Sequence, residues 1–436
     1  ATVEGLGKVS LLERRTSLNT PSAYPADRWA ATLNAAVKLD NNLRLTSTTG
    51  LQRLDLEQLL DFDSTALLRW YVKGYSDESR FTQQFTIGDS DAGWLLGAYY
   101  ENSHYGIGNS GVGLAQPPRG IPFDNKESED VQVAALYGRF DREVLPHFRL
   151  QGGLRLNYEE RDFISSSKIG LFPRRTSEPS TSDTDFLPQV GVLWQPDDKN
   201  QVGLQLARGY RGGGVAEAGV LGIAKAYDPE YSWDLELNGK TKPVESLQLS
   251  SALYYSWVRD QQVAYNVPGG VPNIDQLVTN GDKATRYGAE LEARWTPVES
   301  LAFHTAVGWS HTEFDDLTLN GVNRSGLAFP NAPEWTASIG ADYHHKSGVF
   351  GSVLFSWADS TYSLPSSPVK TALESRQLLS AKIGYAWEKA NVYVFGSNLL
   401  DDTYALSRID NTALGLPVGG KVGPPRMFGV GCEVKW

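Results

Sequence analysis

The 436-residue sequence contains very little sulfur, with a single cysteine, Cys432, and a single methionine, Met427. One thiol excludes an internal disulfide framework. No run of about 18 apolar residues occurs, so the chain contains no candidate transmembrane helix. The first residues, ATVEGLGKVS, have neither a basic segment nor an apolar core and predict no signal peptide. This beginning fits a mature or truncated chain better than a cytosolic one.

The sequence also lacks the short motifs of common enzymes. It has no His-Glu-x-x-His, no Gly-x-Ser-x-Gly and no paired-cysteine metal spacing. The acidic pairs Asp315–Asp316 and Asp401–Asp402 lack the spaced ligand pattern of a calcium loop. We therefore predict a protein that is not an enzyme and that has no cofactor and no metal site. The formal net charge of −11 argues against nucleic-acid binding.

What is present is glycine, aromatic residues and strict alternation. There are 43 Gly, 12 Trp and 20 Tyr. In the last stretch, GPPRMFGVGCEVKW, one face of a strand would carry Phe428, Val430, Cys432, Val434 and Trp436. Aromatic residues at both ends of an apolar face are typical of strands that cross a membrane, where they form girdles at the two interfaces.

The same pattern recurs along the chain. Apolar stripes of about five positions, many ending in Trp or Tyr, alternate with polar residues in five clear segments, which are 232–241, 286–295, 301–309, 334–344 and 378–387. Stripes of this length predict strands of roughly nine to eleven residues that cross a bilayer at a tilt.

Short and long connections alternate between these strands. Short turns are predicted near 41–42, 89–91, 143–146, 197–200, 243–246, 297–300, 346–348 and 389–391. Long polar segments are predicted near 57–78, 103–128, 163–183, 211–230, 260–283, 311–332, 358–376 and 402–423. Short turns on one side and long loops on the other indicate a bacterial outer-membrane barrel. Eight hairpins give about sixteen strands, the terminal strand is a seventeenth, and the weakly patterned segment 2–14 is a possible eighteenth.

Charges on the polar faces favour a membrane barrel over a soluble one. Glu290, Glu292 and Arg294 share one face of a strand, and unpaired charges in a dry core cost several kcal/mol each. A water-filled lumen accepts these charges, and the apolar face then points to lipid. A soluble sandwich with solvent-exposed polar faces is the alternative, but it does not explain the aromatic girdles. We predict an all-β fold, with residues 1–436 as one transmembrane antiparallel β-barrel.

Several ordered motifs resemble those of TonB-dependent outer-membrane receptors. NLLDDTY at 398–404 resembles the Asn-Leu-x-[Asp/Asn]-x-x-Tyr element of this family, and 423–436 resembles its final strand. YDPEYSWDLELNGKT at 227–241, LARGYRGGG at 206–214 and the segment 45–63 are similar to earlier elements of the same receptors. Each motif is weak alone, but the ordered set is specific and covers the chain from about residue 27.

The resemblance implies a location in the bacterial outer membrane, contact with its lipid, and a receptor that takes up a scarce ligand, most often a ferric siderophore. It also implies energy supplied by TonB and a terminal strand, with Phe428, Val430, Val434 and Trp436, that the barrel-assembly machinery reads. The family has a TonB box, a globular plug and a barrel of about 22 strands, whereas this chain shows neither box nor plug. Either the chain is the C-terminal part of a longer receptor, which we favour, or it is a plugless barrel. We expect a monomer.

Candidate ligand-binding residues follow from their positions near the outer rim. Arg211, Arg286 and Arg376 are predicted to face inward, and guanidinium groups suit anionic ligands such as carboxylate or catecholate metal chelates. Tyr265 and Tyr362 fall in outer loops, where their rings suit stacking on a ligand. The competing interpretation, which we prefer, is that these side chains hold loops, barrel and plug together.

Other functions stay open at this stage. A passive diffusion pore of about eighteen strands predicts a constricting loop folded inward. A structural or adhesive barrel predicts neither ligand binding nor conductance. Haem uptake would use a loop histidine such as His104 or His311, but no haem-receptor motif surrounds either residue.

Overall fold

The alternating segments of the sequence form strands in the computed structural model. It describes residues 24–39, 42–61, 71–89, 91–113, 121–219, 221–270, 275–412 and 418–434. In this part of the chain, no helix is long and apolar enough to cross a membrane. The predicted eighteenth strand at 2–14 lies outside the described residues.

One antiparallel sheet forms the wall. Its 18 described strands are β1 (Ala26–Lys38), β2 (Leu43–Asp61), β3 (Tyr71–Asp89), β4 (Trp94–Gly113), β5 (Ile121–Leu145), β6 (Phe148–Ile169), β7 (Arg175–Ser177), β8 (Ser180–Asp197), β9 (Asn200–Arg211), β12 (Glu230–Val244), β13 (Leu247–Asn266), β14 (Gln276–Val298), β15 (Leu301–Asp316), β18 (Trp335–His344), β19 (Val349–Ala358), β22 (Arg376–Ala386), β23 (Ala390–Ser397) and β26 (Met427–Val434). Four small hairpins lie between them, namely β10 (Gly214–Ala218) with β11 (Ile223–Tyr227), β16 (Thr318–Leu319) with β17 (Val322–Asn323), β20 (Thr361–Tyr362) with β21 (Ala372–Leu373), and β24 (Ala405–Ile409) with β25 (Gly419–Val422).

Each long strand pairs with the long strand that follows it in the chain, so the topology is a simple meander. Seventeen of the strands in the large sheet have eight residues or more, and the remaining one, β7, has three. The seventeen agree with the eight hairpins and one terminal strand predicted from the sequence. Within the described residues, β1 pairs only with β2 and β26 only with β23.

Six of the eight predicted short turns lie wholly within the described residues, and they form where the sequence predicts them. Each joins two wall strands and spans between two and four residues, as at 146–147, 198–199 and 245–246. Gly348 shows why the residue type matters in such a turn. Its φ is +99°, and a Cβ atom there would lie 2.4 Å from the Ala386 carbonyl oxygen. Only glycine fits this backbone without strain.

On the other side, several strands are much longer than predicted. β5 has 25 residues and β6 has 22, which corresponds to about 80 Å and 70 Å of extended chain. The predicted length of nine to eleven residues is therefore wrong for β2 to β6, for β8 and for β12 to β15, and much of the predicted loops at 57–78 and 103–128 is strand. Antiparallel pairing continues beyond the lipid because it keeps the backbone groups of each hairpin hydrogen-bonded.

The two faces of the wall differ as predicted. Side chains of the lipid-facing stripe are exposed, including Leu237 at 42%, Leu291 at 52% and Ile383 at 60%. Aromatic rings mark both ends of the stripe. Near the short turns, the Phe148 and Trp194 rings stack at 6.2 Å, and the Trp295 and Phe303 rings stack at 5.5 Å.

A buried apolar cluster lies at the outer ends of β13, β14 and β15. Its buried members are Val258, Val263, Ala284, Phe314, Leu317 and Leu319. The Phe314 ring lies 4.8 Å from the Phe329 ring in the following loop. This cluster fixes an outer loop to the wall, so at least one long connection is a packed structure.

Candidate functional site

The outer half of the lumen is lined by carboxylates that arginines bridge across strands. Arg80 Nε on β3 lies 3.4 Å from Glu101 Oε1 on β4. On β6, Arg161 Nη1 lies 3.0 Å from Glu129 Oε1 on β5, and Arg161 Nε lies 2.6 Å from Glu159 Oε1. Because carboxylates outnumber arginines in these clusters, this wall keeps an excess of negative charge.

The inner half of the same wall carries arginines, two of which have no ion-pair partner among the described residues. A groove of about 670 Å³ opens near the short turns and is lined by Arg44, Arg139 and Arg149, among other polar residues. Arg149 Nε lies 2.7 Å from Asp141 Oδ1, whereas Arg44 and Arg139 have no ion-pair partner among the described residues. The lower lumen is therefore suited to hold an occupant with acidic or polar groups.

Pairing between β8 and β9 stops halfway up the wall. The ladder ends at Gln189 and Ala207, next to Pro188, which has no amide hydrogen to donate. Arg208 Nη1 donates to the Phe186 carbonyl oxygen at 3.0 Å beyond this point. Side-chain hydrogen bonds replace backbone ones here, so β8 and β9 are joined less continuously above this point than below it.

A tyrosine covers the seam between β8 and β9. The Tyr231 hydroxyl donates to Asp185 Oδ1 at 2.8 Å, and the Arg208 guanidinium carbon lies 4.5 Å from the centre of the Tyr231 ring. Asp185 is 2% exposed. This polar contact compensates for part of the missing backbone ladder.

The long connection between β9 and β12 folds back as the β10–β11 hairpin. Ala218 forms an isolated bridge with Asp275, just before β14, and is fully buried. On the other flank, Ser167 Oγ of β6 donates to the Gly219 carbonyl oxygen at 2.8 Å. The hairpin is thus held from β6 to β14, against the outer part of the wall.

The three predicted arginines lie at the outer part of the wall but differ in their contacts. Arg286 Nη2 lies 3.3 Å from Asp234 Oδ1 across two strands, so the charge of Arg286 is paired within the barrel. Arg211, at the end of β9, is exposed. The Arg376 guanidinium carbon, at the start of β22, lies 5.9 Å from the centre of the Tyr404 ring. Of the three, Arg211 and Arg376 have no described carboxylate partner.

The two predicted tyrosines support outer loops. Tyr265 is half-buried against the cluster that contains Phe314. The Tyr362 hydroxyl donates to the Ala328 carbonyl oxygen. Burial raises the pKa of Tyr362 to about 12. Both contacts match the competing interpretation, in which these side chains hold loops in place.

The terminal strand presents its apolar face to lipid. Phe428 and Val430 are each 74% exposed and Val434 is 58% exposed, all on the same face of β26. Trp436, the last residue of the predicted signal, lies outside the described residues.

The histidines considered for haem do not come together. His104 Nδ1 on β4 lies 2.8 Å from Asp130 Oδ1. His311 on β15 packs its ring 4.9 Å from the Tyr287 ring. Among the described residues, no group of three or more His, Cys, Asp or Glu side chains is placed to hold a metal ion.

Sequence reasoning missed two features of this region. The first is the cross-strand arginine–carboxylate clusters, because their members lie 32 residues apart in the case of Arg161 and Glu129. The second is the inward hairpin, which the sequence shows only as a glycine-rich polar segment. The run of three glycines at 212–214 was a usable signal for it.

The sheet, its lipid-facing stripe and its charged inner face define a transmembrane β-barrel of the outer-membrane type. A family model described as TonB dependent receptor-like, beta-barrel, matches residues 7–399. The chain therefore belongs to the TonB-dependent receptor family. Proteins with this barrel are found in the bacterial outer membrane, and they are receptors and transporters rather than enzymes.

Individual relatives share low sequence identity with this chain. The pesticin receptor of Yersinia enterocolitica is 23% identical over 251 residues, which is 57% of this chain and 34% of that protein. The ferric yersiniabactin uptake receptor of Yersinia pestis has a similar structure, with a TM-score of 0.78 and 17% identity over 96% of this chain and 63% of that one. The ferric-catecholate import receptor of E. coli K12 gives a TM-score of 0.68 and 15% identity over 94% and 64%. The chain spans about a third of the curated relative's length.

Proposed function

We propose that this chain is the barrel of a TonB-dependent receptor that takes up a metal chelate of the ferric siderophore type. The observation that carries the proposal is the family match over residues 7–399. It is supported by likeness to receptors described for ferric yersiniabactin and ferric catecholates. In this proposal, residues 1–436 form a single barrel domain, and the protein acts as a monomer.

In this proposal, a plug occupies the lower lumen and transmits the pull of TonB. The groove with Arg44 and Arg139 supports this part, because two guanidinium groups without an ion-pair partner among the described residues favour an occupant with acidic groups. The barrel-assembly machinery recognises the terminal strand through Phe428, Val430, Val434 and Trp436.

The test is uptake of radioactive ferric siderophores by cells that express the complete natural protein. We expect uptake that stops when a protonophore collapses the proton gradient or when TonB is deleted. Uptake that is insensitive to both treatments would contradict the proposal.

Of the five predicted ligand-binding residues, we propose direct ligand contact for Arg211 and Arg376, which have no described carboxylate partner. Arg286, Tyr265 and Tyr362 already contact the barrel wall or its outer loops. A charged hydrogen bond contributes about 1.5–3 kcal/mol, so Arg211→Ala and Arg376→Ala should each weaken binding about tenfold or more. Arg53→Ala is the matched control, because Arg53 lies on the outer surface and its Nε is 2.8 Å from Asp55 Oδ2. Equal ligand affinity in all three variants would reject this assignment.

A passive diffusion pore is the second candidate, and the inward hairpin β10–β11 favours it, because such pores carry a constricting loop. The discriminating measurement is single-channel conductance of the purified protein. A steady open conductance, together with uptake that needs no energy, would replace the receptor proposal.

A further inference from the structure

The β10–β11 hairpin is anchored to the wall mainly through its own backbone carbonyl groups. Arg175 Nη1 donates to the Leu221 carbonyl oxygen at 2.8 Å, and Gln262 Nε2 donates to the Gly212 carbonyl oxygen at 2.8 Å. The bond from Ser167 to Gly219 is of the same kind. These bonds do not change with pH between 5 and 9, so they provide constant attachment.

One side chain under the hairpin, that of Glu217, can change its charge with pH. Glu217 points from β10 towards the wall, and its Oε2 atom is buried without a hydrogen-bond partner among the described residues. The Ser165 hydroxyl of β6 donates to the same carboxyl group. Among the described residues, the charged groups that face Glu217 are Glu127 on β5 and Asp275 before β14, and both are acidic. Asp275 Oδ1 also accepts a hydrogen bond from the Leu221 amide of the hairpin at 3.0 Å. Neither Glu127 nor Glu217 forms an ion pair with any described residue.

Two half-buried carboxylates that face each other without a described cation are costly when both are ionised. Burial and the charge of Glu127 raise the pKa of Glu217 to about 7, from an ordinary value of 4.5. Burial also raises the pKa of Glu127, which lies on the part of β5 beyond the lipid. The docked hairpin therefore binds a proton more tightly than a free one, so docking weakens as pH rises from about 4.5 to about 7.

The hairpin also has a hinge. Gly212, Gly213 and Gly214 follow the end of β9 directly. A Cβ atom at Gly213 would lie 2.7 Å from the Tyr227 carbonyl oxygen, so the docked position favours glycine there. Three consecutive glycines also give the backbone wide freedom once the hairpin leaves the wall.

We propose that the β10–β11 hairpin is a proton-dependent flap at the outer mouth of the lumen. It lies docked against β6 and β14 while Glu217 is protonated, and it loosens when Glu217 is ionised facing Glu127 and Asp275. The inference rests on this hairpin alone and holds for either function proposed above.

The test measures the position of the hairpin directly. The single cysteine, Cys432, is replaced by serine, and spin labels are placed on the full chain at Lys225→Cys in β11 and Asn102→Cys in β4. The distance between the two spin labels is then measured in detergent at pH 5 and pH 8.5. We expect one narrow distance at pH 5 and a broad distribution at pH 8.5, with a docking equilibrium changed by up to the order of 100-fold.

Glu217→Gln keeps the size of the side chain and removes its charge, so the narrow distance should persist at both pH values. Glu299→Gln is the control, because Glu299 is 92% exposed near a short turn, and this variant should behave as the wild type. A wild-type distribution that is the same at both pH values would overturn the proposal. A Glu217→Gln variant that still broadens at pH 8.5 would overturn it as well.

Discussion

At the residue scale, the position of a side chain on one face or the other decides what a substitution does. Leu291 and Glu290 are neighbours on β14, but Leu291 is 52% exposed on the lipid side and Glu290 lies on the lumen side. Because side chains alternate along the strand, two neighbouring residues face two different environments, lipid on one side and water on the other. The same rule explains why Val430 and Glu433 coexist on β26.

We expect Leu291→Arg to destabilise the barrel by about 2–4 kcal/mol, because it places a charge near the middle of the lipid layer. Glu290→Arg should have a much smaller effect, since water fills the lumen. The measurement is the free energy of unfolding in urea after refolding into lipid vesicles. Equal losses in the two variants would show that the assignment of the faces is wrong.

At the element scale, the outer connections range from extended strands to packed loops. The cluster around Phe314 is the clearest packed element, since Phe314 is 1% exposed and its ring contacts that of Phe329. The Phe314 amide also donates to the Leu327 carbonyl oxygen at 2.9 Å. Apolar burial therefore orders a loop that the sequence alone shows as polar.

Phe314→Ala should release this loop without unfolding the wall. Removing a buried phenylalanine costs about 3–5 kcal/mol, and here the loss falls on the loop 317–334. We expect new protease cleavage in that segment on intact cells. The barrel itself should stay folded in detergent that has not been heated. Val322→Ala is the control, because Val322 is 48% exposed. A cleavage pattern shared by both variants would argue against the packing role.

At the scale of the whole molecule, every wall strand depends on its neighbours for backbone hydrogen bonds. β26 pairs with β23 over eight positions, from Ala390 with Val434 to Ser397 with Met427. In lipid, each unsatisfied backbone group costs several kcal/mol. The terminal strand is therefore a structural requirement as well as a proposed assembly signal.

Deleting residues 427–436 should prevent stable insertion, because it leaves β23 with an open edge in lipid. Deleting residues 318–323, the β16–β17 turn, should leave insertion intact. Outer-membrane fractionation and heat-modifiable mobility in gels measure both results. Normal insertion of the variant that lacks residues 427–436 would show that β26 is dispensable for the wall.

Much of the fold was predictable because it depends on local sequence patterns. The stripe of Leu291 and Trp295 predicts both a strand and its lipid face, and the short turns follow from Gly, Pro and Asn positions. The candidate site was less predictable. Arg286 was correctly placed on the lumen face, but its contact with Asp234, 52 residues away, depends on the register of three strands.

The sequence by itself determined the class of this protein, because a period of two, aromatic ends and alternating connections are local properties that lipid imposes on every strand. Only the tertiary structure decided which charges are neutralised, where the β8–β9 ladder stops, and that Glu217 is enclosed with Glu127. Those facts depend on the order and register of strands far apart in the chain, and no local pattern encodes the distance between two side chains that meet across a lumen wall.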